Sequence, residues 1–148
     1  MRWVRRLDRH TCEDPGSDEG SVMLLTIGYA TLALVAVLVC VDATSLYLAQ
    51  KRLDALADAA ALAGADGFTL VLDDGEPRAT LSSESVREQA AAVVADVGDE
   101  AGLVSADAPD GRSARVTVSA TWHPPVLTLF VPSGYALEST ATSRTALH

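Results

Sequence analysis

The sequence contains few of the residues from which metal sites, disulfide frameworks and most active sites are built. Its 148 residues include two cysteines, three histidines and 5% aromatic residues, and the histidines do not have the spacing of metal ligands. Cys12 lies in a charged leader and Cys40 in an apolar run, so we expect no disulfide between them. No Gly-x-Ser-x-Gly motif is present. We therefore expect no metal, no cofactor and no enzymatic activity.

Basic residues are also scarce. Eleven Lys and Arg residues stand against 20 Asp and Glu residues, which gives a formal net charge of -9 at pH 7. A phosphate backbone repels such a chain, so nucleic acid is not expected as a partner. Hydrophobic residues nevertheless make up 49% of the sequence, a large share for an acidic protein that lies wholly in water. This combination indicates that part of the chain lies in lipid.

Residues 22–41 form an apolar run without a charged side chain. At about 1.5 Å per residue, such a helix spans the hydrocarbon core of about 30 Å. Four arginines precede the run: Arg2, Arg5, Arg6 and Arg9. They outnumber Lys51 and Arg52, the first basic residues after it, so the positive-inside rule predicts a cytoplasmic N-terminus. The alternative is a secretory signal peptide that is cleaved after Ala43 and releases a secreted or surface-bound binding domain.

The helix is predicted to continue beyond Asp42, because the sequence is rich in Ala and Leu and has no Pro or Gly before Gly64. One helix of about 40 residues, roughly 60 Å long, results. Apolar residues recur along it at spacings of three and four: Leu46, Ala49, Leu53, Leu56, Ala60 and Ala63. We call these residues the heptad stripe. The stripe requires a partner surface, either the downstream domain of the same chain or equivalent helices of other subunits.

A second, amphipathic helix is predicted in the remaining chain, from Ser82 or Ser83 to Gly98 or Gly102. Pro77 is expected to keep the stretch before this helix irregular.

Strands are predicted around this second helix, with one antiparallel sheet of three or four strands. Their ranges are 68–72, 103–106, 115–122 and 135–146. The predicted fold class is therefore α+β, with a long N-terminal membrane-spanning helix that extends into a small extracytoplasmic domain.

Several elements of the N-terminal region occur in a fixed order and at fixed distances. They are Gly20-Ser21, Asp42, Leu46-Tyr47, Lys51-Arg52-Leu53 and the segment ADAAALAGA at residues 57–65. This series resembles the N-terminal region of the TadE/TadG-like proteins of tight-adherence (Flp) pilus assembly, over about residues 18–66.

The resemblance implies a single-pass protein of the cell membrane with a pilin-like α+β fold. It divides the chain into a cytoplasmic leader at residues 1–20, a membrane helix with its extension at residues 21–66, and an extracytoplasmic domain at residues 67–148. The expected function is that of a minor pilin or assembly protein. Its expected partners are other pilus-assembly or pseudopilin subunits, with self-association through the helix. A single-pass accessory protein of an export system is the alternative.

Individual residues receive roles through this resemblance. Asp42 is expected to mark the outer membrane boundary, and Tyr47 is expected to be an interfacial anchor. Arg52 and Leu53 belong to the family motif and to the assembly surface. Asp58 either pairs with a partner or faces solvent.

Gly20 and Ser21 form a candidate processing site, because a hydrophilic leader that ends in Gly before an apolar run is the layout that prepilin peptidases recognise. The alternative is that Ser21 is the N-cap of the membrane helix. Leu25 stands where pseudopilins of this system carry a glutamate, which favours a TadG-like protein that stays in the membrane.

Overall fold

The protein has an α+β fold, as the sequence predicts. The structure, a computed structural model, describes residues 16–73, 76–128 and 132–144. Two helices and five strands follow one another in these residues: α1 (Gly16–Asp66), β1 (Thr69–Asp73), β2 (Glu76–Thr80), α2 (Ser83–Val97), β3 (Gly102–Asp107), β4 (Ser113–Trp122) and β5 (Tyr135–Arg144). The chain divides after Val39 into two units.

In the first unit, α1 has no buried face. Every described side chain from residue 20 to residue 37 is exposed, including large apolar ones such as Leu24 and Leu34. Thr26 and Thr31 donate their hydroxyl protons to the carbonyls of Val22 and Ile27, at 2.8 Å and 2.9 Å, so these polar groups are satisfied within the helix. By length and composition, α1 from Gly20 onward is a candidate membrane span.

The start of α1 differs from one of the alternatives above. The helix begins at Gly16, so Ser21 lies inside it and the interpretation of Ser21 as an N-cap is wrong. Pro15 is the last proline before the apolar run, and residues 16–20 contain nothing that forces the helix to start later.

The second unit, Cys40–His148, contains two antiparallel sheets. β1 and β2 form a hairpin, and β3, β4 and β5 form a three-stranded sheet in the order β3-β4-β5, in agreement with the predicted sheet. The expectation of an irregular stretch at Pro77 is wrong, because Pro77 lies in β2 and pairs with Leu72. A proline is tolerated there since β2 is an edge strand, in which not every N–H needs a ladder partner. The predicted end of the last strand, residues 145–146, lies outside the described residues.

The core of this unit is built from the heptad stripe, α2 and one face of the three-stranded sheet. Leu53, Leu56 and Ala60 of the stripe are buried, and they belong to the same apolar cluster as Val116 and Val118 of β4. Leu46 and Ala49 are partly buried against this cluster. The stripe therefore packs on the domain of its own chain, which is the first of the two alternatives that the sequence left open.

Helix α2 runs back along α1. Its N-cap Ser82 accepts a hydrogen bond from the Ser85 N–H at 3.1 Å, and the Ser85 hydroxyl donates to the Gly67 carbonyl at 2.6 Å, just beyond the end of α1. At Gly64 the two helices are in close contact, because a Cβ atom there would lie 2.9 Å from Cγ1 of Val86. The first turn of α2 therefore lies beside the last turn of α1.

Candidate functional site

Asp42 is a predicted residue whose side chain is hydrogen-bonded to a distant part of the second unit. It is 6% exposed, and its Oδ1 accepts a hydrogen bond from the Val126 N–H at 3.1 Å. Its Oδ2 is buried and has no partner within residues 16–73, 76–128 and 132–144. One turn further on, the Ser45 hydroxyl accepts a hydrogen bond from the indole of Trp122 at 3.1 Å. Two side chains of α1 thus hold the end of β4 and the turn that follows it.

Asp54 is the centre of a second polar cluster, which joins α1 to β5. Its Oδ1 accepts hydrogen bonds from the Ser139 hydroxyl at 2.8 Å and from the Gln50 amide at 3.0 Å. Its Oδ2 lies 3.2 Å from the Lys51 ammonium. The hydrogen bond from Ser139, followed by those from Gln50 and Lys51, lowers the pKa of Asp54 below its ordinary value. This residue was not predicted, although the spacing of three and four residues from Lys51 and Gln50 is a local signal for it.

The remaining predicted residues of the motif do not share one environment. Leu53 is buried in the core, at 3% exposure, whereas Tyr47 is 61% exposed. Arg52 and Asp58 are also exposed. Tyr47 lies under the Lys51 ammonium, which is 5.9 Å from the ring centroid. The motif therefore combines core residues with surface residues and does not form a single pocket.

The predicted processing residues lie in the first unit. Gly20 and Ser21 are both helical and exposed, and a Cβ atom at Gly20 would meet nothing within 4 Å. The backbone of this pair is hydrogen-bonded in α1. Cleavage between Gly20 and Ser21 stays a prediction.

A groove of about 540 Å³ lies between α1 and the end of α2. Val93 and Val97 of α2 form one wall. The α1 side is formed by six residues on successive turns: Ala49, Arg52, Leu53, Ala55, Leu56 and Ala59. Because most of these side chains are small or apolar, the groove is an apolar depression that is open to solvent. We call it the α1–α2 groove.

Charged residues of both signs lie at this groove. Arg52 lines it from α1, and Asp99 and Glu100 line it just after α2. Gly98 caps α2 by donating its N–H to the Val94 carbonyl at 2.9 Å, and Asp99 follows with φ = 46°, in the left-handed region that Asp tolerates better than most residues. The helix end thus places two carboxylates at the groove.

The β1–β2 hairpin is a second unusual surface. Leu70, Val71 and Leu72 are 63%, 51% and 75% exposed, so both faces of β1 are apolar and open. The hairpin is held at its base, where Leu81 is buried and its N–H donates to the Gly111 carbonyl at 2.9 Å. Its body therefore projects an apolar surface from a well-packed base.

A metal site is not supported within the part of the chain that the structure describes. Residues 16–73, 76–128 and 132–144 contain no group of three or more His, Cys, Asp and Glu residues placed to hold a metal ion.

Comparison with known proteins identifies the N-terminal segment. Residues 20–67 match the family model described as putative Flp pilus-assembly TadE/G-like. No curated protein and no solved structure matches the chain. The match contains the processing pair Gly20-Ser21 and the motif residues Asp42, Tyr47, Arg52, Leu53 and Asp58. It confirms the resemblance that the sequence predicts: residues 20–67 are similar to the TadE/G-like family of Flp pilus assembly.

Proposed function

We propose that the protein is a membrane-anchored component of Flp pilus assembly. Residues 22–41 cross the cytoplasmic membrane once, the N-terminus faces the cytoplasm, and the chain from Asp42 onward faces outward. The observation that carries this proposal is the family match, because it covers the whole apolar run together with the buried heptad stripe.

Membrane anchoring is supported by the contrast between the apolar run and its surroundings. The side chains of the run are exposed on all sides of α1, and a helix that is apolar all round is stable only inside a large protein or in lipid. The most apolar window of α1 is 0% buried. The lipid bilayer is therefore the environment that the run requires.

The proposed role is protein association and not chemistry. The acidic domain carries an apolar groove and an apolar hairpin on its surface, and surfaces of this kind are typical of protein contacts. The protein is thus a minor pilin or an assembly protein, whose domain contacts other pilus subunits.

The decisive experiment deletes the gene in a host that builds Flp pili and restores it in two forms. We expect the intact chain to restore pili on the cell surface. A chain whose residues 22–41 are replaced by a cleavable signal sequence delivers a soluble domain and is expected not to restore them. Normal piliation of the deletion strain would contradict a role in pilus assembly, and full restoration by the soluble form would contradict anchoring.

The N-terminal residue and the intact mass of the protein, extracted from its native membrane, separate the remaining alternatives. A start at Ser21 would identify a processed, pilin-like subunit, and a start at Met1 would identify a permanent assembly component. A start at Thr44 would mean release of the domain and would overturn the proposal. The structure argues against release, because cleavage after Ala43 removes Asp42, the hydrogen-bond partner of the Val126 N–H.

A further inference from the structure

The turn after β4, residues 124–128, exposes apolar side chains. Val126 and Leu127 are 36% and 39% exposed, and Pro125 is also exposed. The sequence has no Asp, Glu, Lys or Arg from residue 116 to residue 137, although 21% of its residues are of these types. Outside the apolar run, this is the longest stretch of the chain without such a residue. The turn can therefore enter the edge of a lipid layer without taking a carboxylate, ammonium or guanidinium group with it.

Hydrogen bonds between α1 and the sheet show at which end of the second unit this turn lies. Toward the N-terminal end of α1, the partners of its side chains come progressively closer to the end of the sheet and then pass it. The pairs are Asp54 with Ser139 at 2.8 Å, Ser45 with Trp122 at 3.1 Å, and Asp42 with Val126 at 3.1 Å. The second unit begins at Cys40. The turn after β4 therefore lies beside the first residues of α1 that belong to this unit.

The depth of these residues follows from the proposed membrane span. The apolar run ends at residue 41, so Asp42 lies where the hydrocarbon core meets the headgroups. The core is about 30 Å of a bilayer of about 40–45 Å, which leaves a headgroup layer of about 5–7 Å on each side. Ser45 lies about 4.5 Å further along α1. The groups that are hydrogen-bonded to Asp42 and Ser45 are thus at the level of the headgroups.

Aromatic residues at this end of the sheet are of the types that occur at membrane surfaces. Trp122 donates its indole N–H to Ser45, and Tyr135, which is 62% exposed, pairs with Trp122 across the β4–β5 ladder. Trp and Tyr combine an apolar ring with a polar group, and both are enriched at the level of the headgroups. This end of the sheet therefore has the composition of a membrane-facing surface.

The backbone of the turn is also suited to a nonpolar environment. Pro124 and Pro125 have no N–H group, and the Val126 N–H is hydrogen-bonded to Asp42. The Thr128 hydroxyl donates to the Pro124 carbonyl at 2.5 Å. Polar backbone groups that are absent or already bonded lower the cost of leaving water.

We propose that the turn after β4 inserts Val126 and Leu127 into the headgroup layer of the bilayer, as a second lipid contact beside α1. This inference rests on the proposed function, because the level of the turn follows from the membrane span. The formal net charge of -9 opposes binding to anionic lipids, so the surface that fits is one of zwitterionic lipids. The second contact restricts how the domain tilts on the membrane.

Spin labels on three exposed leucines test this contact in phosphatidylcholine nanodiscs that each hold one copy of the full chain. In a background with Cys12→Ser and Cys40→Ser, a nitroxide is attached to Leu34→Cys, Leu127→Cys or Leu62→Cys. Leu62 is the matched control: it is 58% exposed and lies about 30 Å beyond Asp42 along α1. EPR power saturation measures collisions of each label with oxygen, which dissolves in lipid, and with a nickel chelate, which stays in water.

We expect the ratio of oxygen to nickel collisions to be highest at Leu34, intermediate at Leu127 and lowest at Leu62. A ratio at Leu127 as low as that at Leu62, with a high ratio at Leu34, would overturn the lipid contact of the turn and leave membrane anchoring intact. A low ratio at Leu34 would instead contradict the proposed membrane span itself.

The emission of Trp122 tests the same end of the sheet without a label. Trp3→Phe leaves Trp122 as the only tryptophan of the chain. We expect its emission to fall when the nanodisc lipids carry bromine near the headgroup end of their acyl chains, and to fall less when the bromine is near the chain ends. Equal emission in brominated and unbrominated lipids would overturn the proposal, because it would place the end of β4 away from the bilayer.

Discussion

The two regions of α1 have nearly the same share of apolar residues and opposite packing. In the first region, up to Val39, the large apolar side chains are exposed: Leu34, for example, is 59% exposed. In the second region, from residue 42 to Asp66, apolar residues follow the heptad stripe, and Leu53 is only 3% exposed. Apolar content alone thus does not distinguish a helix whose apolar side chains are exposed from one that packs on its own domain. The distinction comes from the charged residues between the apolar ones, which are present only in the second region.

Glycine shows the same difference. A Cβ atom at Gly28 would meet nothing within 4 Å, whereas at Gly64 it would lie 2.9 Å from Val86 and 3.3 Å from Ala114. In the second region, glycine permits close packing of α1 on α2 and β4. In the first region, no described neighbour requires it.

The largest expected effect comes from truncating a leucine in each region. We expect Leu53→Ala to lower the free energy of unfolding of the domain by about 2–5 kcal/mol, because it leaves a cavity in the core. Leu34→Ala makes the same change on an exposed position and is expected to leave this free energy unchanged. Urea unfolding of the full chain in detergent micelles, followed by Trp fluorescence, measures both. Equal losses for the two variants would contradict the division of α1 into two regions.

A second pair of substitutions enlarges a glycine in each region. Gly64→Val brings methyl groups against the buried Val86, and we expect the free energy of unfolding to fall by about 1–3 kcal/mol through overpacking. Gly28→Val has open space around it and is expected to leave the stability of the domain unchanged. The same unfolding measurement applies, and a stable Gly64→Val variant would mean that α1 and α2 are less closely packed than the structure shows.

Removal of the Asp42 carboxylate tests whether this side chain stabilises the domain at the start of the second region of α1. Asp42→Ala leaves the Val126 N–H without its protein acceptor, and we expect a loss of about 0.5–1.5 kcal/mol, the usual net contribution of one hydrogen bond. Asp42→Asn keeps a side-chain oxygen as acceptor and is expected to lose less. Hydrogen exchange at the Val126 amide reports this bond directly, and equal exchange rates in the original and Asp42→Ala proteins would show that the bond is not formed.

The smallest expected effect is a dependence of stability on pH. The pKa values of Asp54 and Asp110 are lowered from the ordinary value of 3.8, in Asp54 by Ser139 first and in Asp110 by the N–H of Arg112 first. A carboxyl with a lowered pKa in the folded state stabilises the fold above its ordinary pKa, and this stabilisation is lost as the pH falls through the folded value. We therefore expect the urea concentration at the unfolding midpoint to decrease when the pH is lowered below about 4.

Asp54→Asn is expected to make the fall in the urea midpoint smaller, because the variant has no carboxyl to protonate at this position. Asp58→Asn, an exposed neighbour on α1, serves as the control and is expected to keep the full dependence. If Asp54→Asn and the original protein lose stability equally below about pH 4, Asp54 does not carry the effect.

Local features of the sequence predicted the helices and the three-stranded sheet because periodicity and capping act over a few residues. The heptad stripe and the alternation along β4 are examples. The start of α1 at Gly16 and the strand through Pro77 were not predicted, since residues 16–21 contain no apolar residue from which a helical period could be read, and an edge strand tolerates proline.

Contacts between distant residues could not be predicted from local patterns. The groove joins residues of α1 to residues some 40 positions later, at the end of α2, and nothing in either segment alone indicates a depression. The Asp54 cluster was missed for a similar reason, because its hydroxyl donor Ser139 is 85 residues away. The family resemblance identified residues that matter in α1 without indicating which of them are buried.

The distance between Asp54 and Ser139 has a consequence for how the protein is made. During synthesis, the heptad stripe leaves the ribosome 85 residues before the hydroxyl of β5 that binds beside it. At about 5–20 residues per second, this interval lasts roughly 4–17 s, and β5 completes the sheet only at its end. The newly made stripe therefore lacks its last partner strand, β5, for several seconds. The order of translation, and not only the final fold, thus determines how long this apolar surface is accessible to chaperones and to neighbouring nascent chains.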